Sequence, residues 1–411
     1  METGLLDALL DEIAALPVID CHEHTYLPHQ RPRPVDLGCL LRNSDVGDDL
    51  ISSGMPAGLR PRLDWESAAP YLPAVRNTGF YRSLQLACLE LFEMDLDALS
   101  AEHWETLSGR LQAANAQPDW YAQVLHGRAN IRRILRVQGD EADPYAVDRA
   151  FFAPLIKFDD WIMADTPGER ARLAAGAGDS AGSLPAFLRA LDAAFETAQR
   201  RGAAGAKSLL AYRRTLSSSR PPPDEIARFY MRADWTPAEA QAFQDFMLHA
   251  VAERAGAFGF SFQIHVGYGS WQSNITAQAN PLLLNPLIEA HRQTKFVLLH
   301  GAYPFIGEVG TLAKNHPNAY LEAGWLAYIA PAAYRRALDE WLDSVPANKI
   351  LAFGADCLHI EQTFGALLLT RRLLAQVLAG KVREAGWTQG LARNVARRLL
   401  HDNAAELYGL S

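Results

Sequence analysis

FGFSFQIHV (258–266), KFVLLHG (295–301) and NKILAFGAD (348–356) are three apolar runs, each carrying near its end a residue able to ligate a metal or exchange a proton: His265, His300 and Asp356. A short apolar run bounded by turn residues reads as a buried strand. Five further runs read the same way: PVIDCH (17–22), NIRRILRV (130–137), FFAPLIKF (151–158), GAAGAKSLL (202–210) and NAYLEAG (318–324). Between the later ones lie amphipathic stretches, namely LPAFLRALDAAFETAQR (184–200), PAEAQAFQDFMLHAVAERAG (237–256) and AAYRRALDEWLD (332–343). Strands alternating with helices predict a parallel sheet. Eight of them predict closure into a distorted (β/α)8 TIM barrel of the α/β class, with residues 1–411 as one domain.

Two segments break the rhythm. Residues 25–129 are far too long for a strand-to-helix loop. They contain helix-like stretches such as WESAAPYLPAVRNTGFYRSLQLACLELF (65–92), so the segment reads as a helical insertion after the first strand. Loops that follow barrel strands lie on the catalytic face, which places this insertion over the site. SSSRPPPDEIARFYMRADWTP (217–237) follows the fourth strand and reads as an ordered cover or an oligomer contact. Residues 361–410 are helix-rich and are expected to pack outside the barrel.

Bulk properties narrow the function. The 411 residues are 49% hydrophobic with a net charge of −8 and no basic run. That argues against nucleic acid or an anionic membrane as a partner. No apolar stretch reaches membrane-spanning length. The N-terminus lacks the basic and apolar regions of a signal peptide and reads as an amphipathic helix leading into a strand. Four scattered cysteines (Cys21, Cys39, Cys88, Cys357) suit a reduced, cytoplasmic protein. A homo-oligomer is the expectation for a soluble enzyme.

Asp20-Cys21-His22-Glu23-His24 ends the first strand. Residues i and i+2 of a strand share a face, so His22 and His24 present two imidazoles to one ion. An isolated His-x-His is weak evidence, because two polar residues at a strand end need no metal. Its coincidence with polar residues at the ends of the fifth, sixth and eighth strands is much stronger. In a closed barrel the eighth strand pairs with the first, which makes Asp356 and His22 neighbours. Glu23 alternates away from the histidines and reads as structural. His359 reads as reaching the mouth or capping a helix.

The run FQIHVGYG–NPLLLNPL–FVLLHGAYPF–HPNAYLEAGW–KILAFGADCLH, with the His-x-His, resembles the amidohydrolase superfamily from about residue 17 to 360. It looks closest to the branch containing the amidohydrolase-like domain fused to glutamine-synthetase-type chains. That branch is related to uronate isomerases and to amidohydrolase-type decarboxylases. The resemblance implies metal ligation by His22, His24, His265 and Asp356. It gives His300 an acid/base or polarising role. Lys207 lies where many relatives carry a carboxylated lysine bridging two metals. Its alternatives are a plain ammonium for a substrate carboxylate, with Arg213 beside it, or a rim lysine. The ammonium reading, with one metal, is preferred.

The expected cofactor is one divalent ion, zinc first, with manganese, iron or cobalt also compatible. Asp356 and His300 are the expected proton-transfer groups. The expected substrate is a small anionic or polar molecule, with Lys207, Arg213, Tyr268 and Trp325 around it; Arg136 and Trp271 are further candidates. The leading reaction is hydrolysis of an amide, lactone or related C–N or C–O bond. Sugar-acid isomerisation, non-oxidative decarboxylation and a non-catalytic metal-binding barrel are the alternatives.

Overall fold

A computed structural model describes residues 2–139, 141, 143–270 and 275–410. Among these residues eight strands form one sheet, ordered as they occur in the sequence. They are β1 (Val18–Glu23), β2 (Ile131–Val137), β3 (Phe152–Lys157), β4 (Gly205–Ser208), β5 (Ser261–Ile264), β6 (Lys295–Leu298), β7 (Ala319–Glu322) and β8 (Ile350–Leu351). The fold is the (β/α)8 barrel that the alternation predicts. No helix of the described residues is long and apolar enough to cross a membrane.

The chain divides into two compact units. The first comprises the described residues up to Arg136, together with Ser270 and Glu322–Ala405. Here β1 pairs in parallel with β2, with Val18 opposite Ile131 and Asp20 opposite Ile134. On its other side β1 meets the segment after β8: Cys21 N donates to Phe353 O at 3.1 Å, and Asp356 N to His22 O at 2.9 Å. Every residue of β1 is buried.

The expected insertion is helical, with Leu37–Arg42, Asp45–Ser52, Gly79–Phe92 and Ala101–Asn115 among its elements. The long helix Ile360–Glu384 packs on Gly79–Phe92 and on the N-terminal helix Glu2–Ala15. Gly365 permits that crossing, because a Cβ there would lie 2.0 Å from Ser83 O.

The second unit comprises the described residues of 137–269, 275–321 and 406–410. It holds a parallel run of strands in which Lys207 sits opposite Gln263, Ile264 opposite Leu298, and Leu298 opposite Leu321. Its helices start where the sequence supplies caps. Ser183 caps Leu184–Arg200, while Thr236 and Glu239 form a capping box on Pro237–Ala257. Phe158 stacks on Phe195 with ring centroids 4.0 Å apart. Full burial of side chains of this size is worth about 1.5–3 kcal/mol each.

Candidate metal centre

In the first unit β1 delivers His22 and His24 to one carboxylate. His22 Nε2 lies 3.6 Å from Asp356 Oδ1, and His24 Nε2 lies 3.4 Å from the same oxygen. The side chain of His22 is 1% exposed, His24 28% and Asp356 16%, so the group is buried on one flank and open on the other. Asp356 has φ of +50°, a left-handed conformation that is uncommon for residues other than glycine. Its surroundings hold it there.

Two acids of the Asp20–His24 segment do the holding. Asp20 Oδ1 accepts from the amides of His22 and Ala355, both at 3.2 Å. Glu23 accepts from His24 N at 2.8 Å, Cys357 N at 2.6 Å and Thr363 Oγ1 at 2.8 Å. Glu23 is therefore structural, as its alternation predicts. Burial pushes the Asp20 carboxyl up to about 7 against the pull of those amides, and burial also raises Glu23.

Glycines let the backbones meet. A Cβ on Gly354 would lie 3.1 Å from both the Cβ and the backbone N of His22. One on Gly324 would lie 2.0 Å from Gly354 N. Beside them Cys357 Sγ contacts Ala355 O at 3.1 Å and the Tyr328 hydroxyl at 3.6 Å. His359 occupies the N-cap position of Ile360–Glu384 without bonding through its side chain there. Its ring faces Cys39 Sγ at 3.9 Å instead.

Trp325 is 2% exposed, and its Nε1 donates to Asp45 Oδ2 at 3.2 Å. Asp45 comes from the helical insertion and carries no sequence signal. Burial, followed by the charge of Asp356, pushes its carboxyl up to about 7. Arg136 is buried and committed to Thr25 O at 2.9 Å and Gln30 Oε1 at 3.1 Å.

In the second unit His265 and His300 come together at the ends of β5 and β6, with ring centroids 4.8 Å apart. The Tyr212 ring covers His265 at 4.4 Å. His300, Gly301 and Ala302 all have positive φ. Gly267 matches this turn closely, since a Cβ there would lie 2.4 Å from Ala302 C. Tyr268 N donates to Tyr303 O at 2.6 Å, leaving the Tyr268 side chain half-buried.

Lys207 is fully buried on β4. Asp159 accepts from Ser208 Oγ and Leu209 N, both at 2.9 Å. Burial raises the Asp159 carboxyl; those bonds and the Lys207 charge oppose the rise. Arg213 is exposed, whereas its neighbour Arg214 is buried against Asp245. Trp271 lies outside the described residues.

The family model described as Amidohydrolase (Amidohydro_2) matches residues 19–410. The chain belongs to the amidohydrolase family. Known proteins are similar to this chain to different degrees. Protein fluG of Emericella nidulans is 32% identical over 151 residues, which is 36% of this chain and 17% of fluG. The aligned part is thus a small fraction of that curated relative. Glucuronate isomerase of Caulobacter crescentus has the same fold, with a TM-score of 0.81 at 18% identity over 100% of this chain and 95% of its own. Uronate isomerase of Thermotoga maritima gives 0.80 at 16% identity over 98% and 97%. A Lactobacillus casei protein described as a metal-dependent hydrolase gives 0.66 at 20% identity over 98% and 97%. Membership of the amidohydrolase family supports an enzyme that uses a divalent metal.

Proposed function

We propose that this amidohydrolase is a divalent-metal-dependent hydrolase cleaving an amide, lactone or related C–N or C–O bond of a small carboxylate-bearing molecule. The observation that carries the reading is the approach of His22 Nε2 and His24 Nε2 to one oxygen of Asp356, at 3.6 and 3.4 Å. Donors bound at about 2.0–2.2 Å to a four- or six-coordinate ion lie roughly 2.9–3.5 Å apart. Two imidazoles and a carboxylate at nearly that spacing fit a first-row ion, and His265 is the fourth ligand in this reading. Zinc is the first choice, and manganese, iron or cobalt suit the same donors. When bound, the ion supplies Lewis acidity toward a carbonyl and toward water.

The chain's own groups do the rest. The Asp356 carboxylate takes the proton released by the attacking water and passes it to the leaving group. His300 is the second acid/base group. Lys207, as an ammonium, pairs with the substrate carboxylate together with Arg213; its carboxylation would instead bring a second ion. Tyr268 and Trp325 flank the substrate, with Trp325 oriented by Asp45. The insertion 25–129 covers the active-site face of a single catalytic domain. The four cysteines form no disulfide among the described residues, and a cytoplasmic location is part of this proposal. A small-molecule partner and a homo-oligomeric state belong to the same proposal, with no role for nucleic acid.

Uronate isomerisation is the second reading, because two solved structures sharing the fold over nearly the whole chain carry that name. One screen separates them. N-acyl amino acids, γ-glutamyl amides, lactones and uronates are incubated with zinc- or manganese-loaded protein and read by mass spectrometry. Hydrolysis adds one water across the products, isomerisation conserves mass, and decarboxylation removes carbon dioxide. Turnover of uronates alone, at constant mass, would overturn the hydrolase reading.

A further inference from the structure

The segment after β4 that reads as a cover is anchored to the helix Pro237–Ala257. Ser219 donates through its backbone N and its Oγ to Asp245 Oδ2, at 2.8 and 2.7 Å. This brings Arg220 and the run Pro221–Pro223 against the helix. A cavity of about 360 Å³ lies between them, walled on its apolar side by the prolines, Leu188, Phe246 and Ala250. That size falls at the low end for small-molecule pockets. None of the residues assigned to the metal or its substrate lines it.

Its polar side is a pair of imidazoles. His249 Nδ1 and His291 Nε2 lie 2.8 Å apart, and the two residues are 7% and 8% exposed. One proton must lie between those nitrogens. When His291 supplies it, neutral His249 carries its own proton on Nε2. Among the described residues that Nε2 is buried and forms no hydrogen bond of ordinary geometry, although the Ser219 backbone also acts on the ring. The charge of Arg220 reaches both rings. Arg220 is exposed and forms no ion pair among the described residues. Arg254, also in the wall, is turned to Asp192 at 2.6 Å. Glu253 is the one acid of the lining.

An exposed guanidinium without an ion pair, a buried ring nitrogen without a well-formed hydrogen bond and an apolar wall together point to one ligand class. We propose that this cavity binds a small carboxylate with an apolar body, its carboxylate between Arg220 and His249 and its hydrocarbon part against Pro221–Pro223 and Phe246. The site is independent of the metal centre and of the reaction proposed for it. Binding would tie the segment after β4 to the helix beneath it.

Benzoate is the probe, with benzamide as its uncharged counterpart. Calorimetric titration of the full-length protein as isolated is expected to show saturable benzoate binding, at least tenfold weaker for benzamide. Arg220→Ala changes an exposed residue and leaves the fold intact; it is expected to weaken benzoate binding at least tenfold. His249→Gln should do the same, while His22→Ala leaves this binding unchanged. Absence of saturable benzoate binding, equal binding of benzamide, or binding indifferent to Arg220→Ala overturns the proposal.

Discussion

His22 and Asp356 are joined twice: the Asp356 amide donates to the His22 carbonyl at 2.9 Å, and the His22 Nε2 lies 3.6 Å from Asp356 Oδ1. Residues 334 positions apart are thus locked in register by the backbone before their side chains meet. Donor positions set by packed backbone need little reorganisation to receive an ion. Consequences of this arrangement can be measured at several residues.

Gly354→Ala adds a Cβ that lies 3.1 Å from His22 and 2.9 Å from Glu322 Oε1. Overpacking of this kind costs about 1–3 kcal/mol. The expected result is a folded protein of lower melting temperature whose zinc affinity falls at least tenfold. Gly324→Ala, facing backbone at 2.0 Å, is expected to be the more damaging substitution. Thermal melts and competition with a chromogenic chelator read both effects.

Glu23→Ala removes the acceptor shared by His24 N, Cys357 N and Thr363 Oγ1. Each buried donor left unpaired costs about 1–3 kcal/mol. A stability loss within that range or above it is expected by urea denaturation. Loss of groups that orient metal ligands typically lowers affinity about 10–100-fold, and a fall of that size is expected here. Unchanged stability and metal affinity would show that Glu23 positions nothing.

The strands were legible because each is a largely buried run between turn residues, and every expected run overlaps one. Seven of the eight strands are shorter than their runs, while β1 is shifted by one residue to include Glu23. FGFSFQIHV contributes only Ser261–Ile264, because the Phe260 amide closes the preceding helix on Ala255 O. The helix over 184–200 matches the expected residues, since Ser183 and Pro185 mark its start. The stretch 65–92 is not one helix but three: Trp65–Ala68, Leu72–Val75 and Gly79–Phe92. Asp64, bonded to Ser67, and Thr78 start new helices there, and Pro70 interrupts the first.

The meeting of His22, His24 and Asp356 was readable from the apolar runs they close, although β8 itself stops at Leu351, five residues before Asp356. Asp45 was not, because its partner Trp325 is 280 residues away and nothing periodic marks it. The commitment of Arg136 to Thr25 and Gln30 depends likewise on contacts that sequence spacing does not encode.

Arg214 and Asp245 form a buried ion pair with side chains 7% and 5% exposed. Removing one partner of such a pair leaves a buried charge uncompensated, at about 3–5 kcal/mol. Arg214→Ala is expected to lower stability by that order. Arg213→Ala, one residue away and exposed, is expected to leave the melting temperature within a degree or two of the parent, given about 0.5 kcal/mol for such surface changes. Equal effects of the two would contradict the assignment.

Burial, then the neighbouring charges of His291 and Arg220, lower His249 to about 4, below its ordinary value near 6.5; Asp245 and the Ser219 backbone oppose the shift. His291 is lowered too, by burial and Arg220. The folded protein keeps these rings neutral while the unfolded chain takes up protons first. Stability is therefore fully present above about pH 6.5 and falls as the pH drops toward 4. Urea midpoints between pH 7 and pH 4.5 should decline, and the decline should be shallower in His249→Gln. A parallel decline in parent and variant would place the acid sensitivity elsewhere.

Whether His22, His24 and Asp356 hold a catalytic metal is read by elemental analysis of the purified protein. Close to one equivalent of a first-row divalent ion per chain is expected, lost in the His22→Ala/His24→Ala variant while that variant keeps its fold by circular dichroism. A parent protein without stoichiometric metal after zinc or manganese loading, or a double variant that retains it, would contradict the claim.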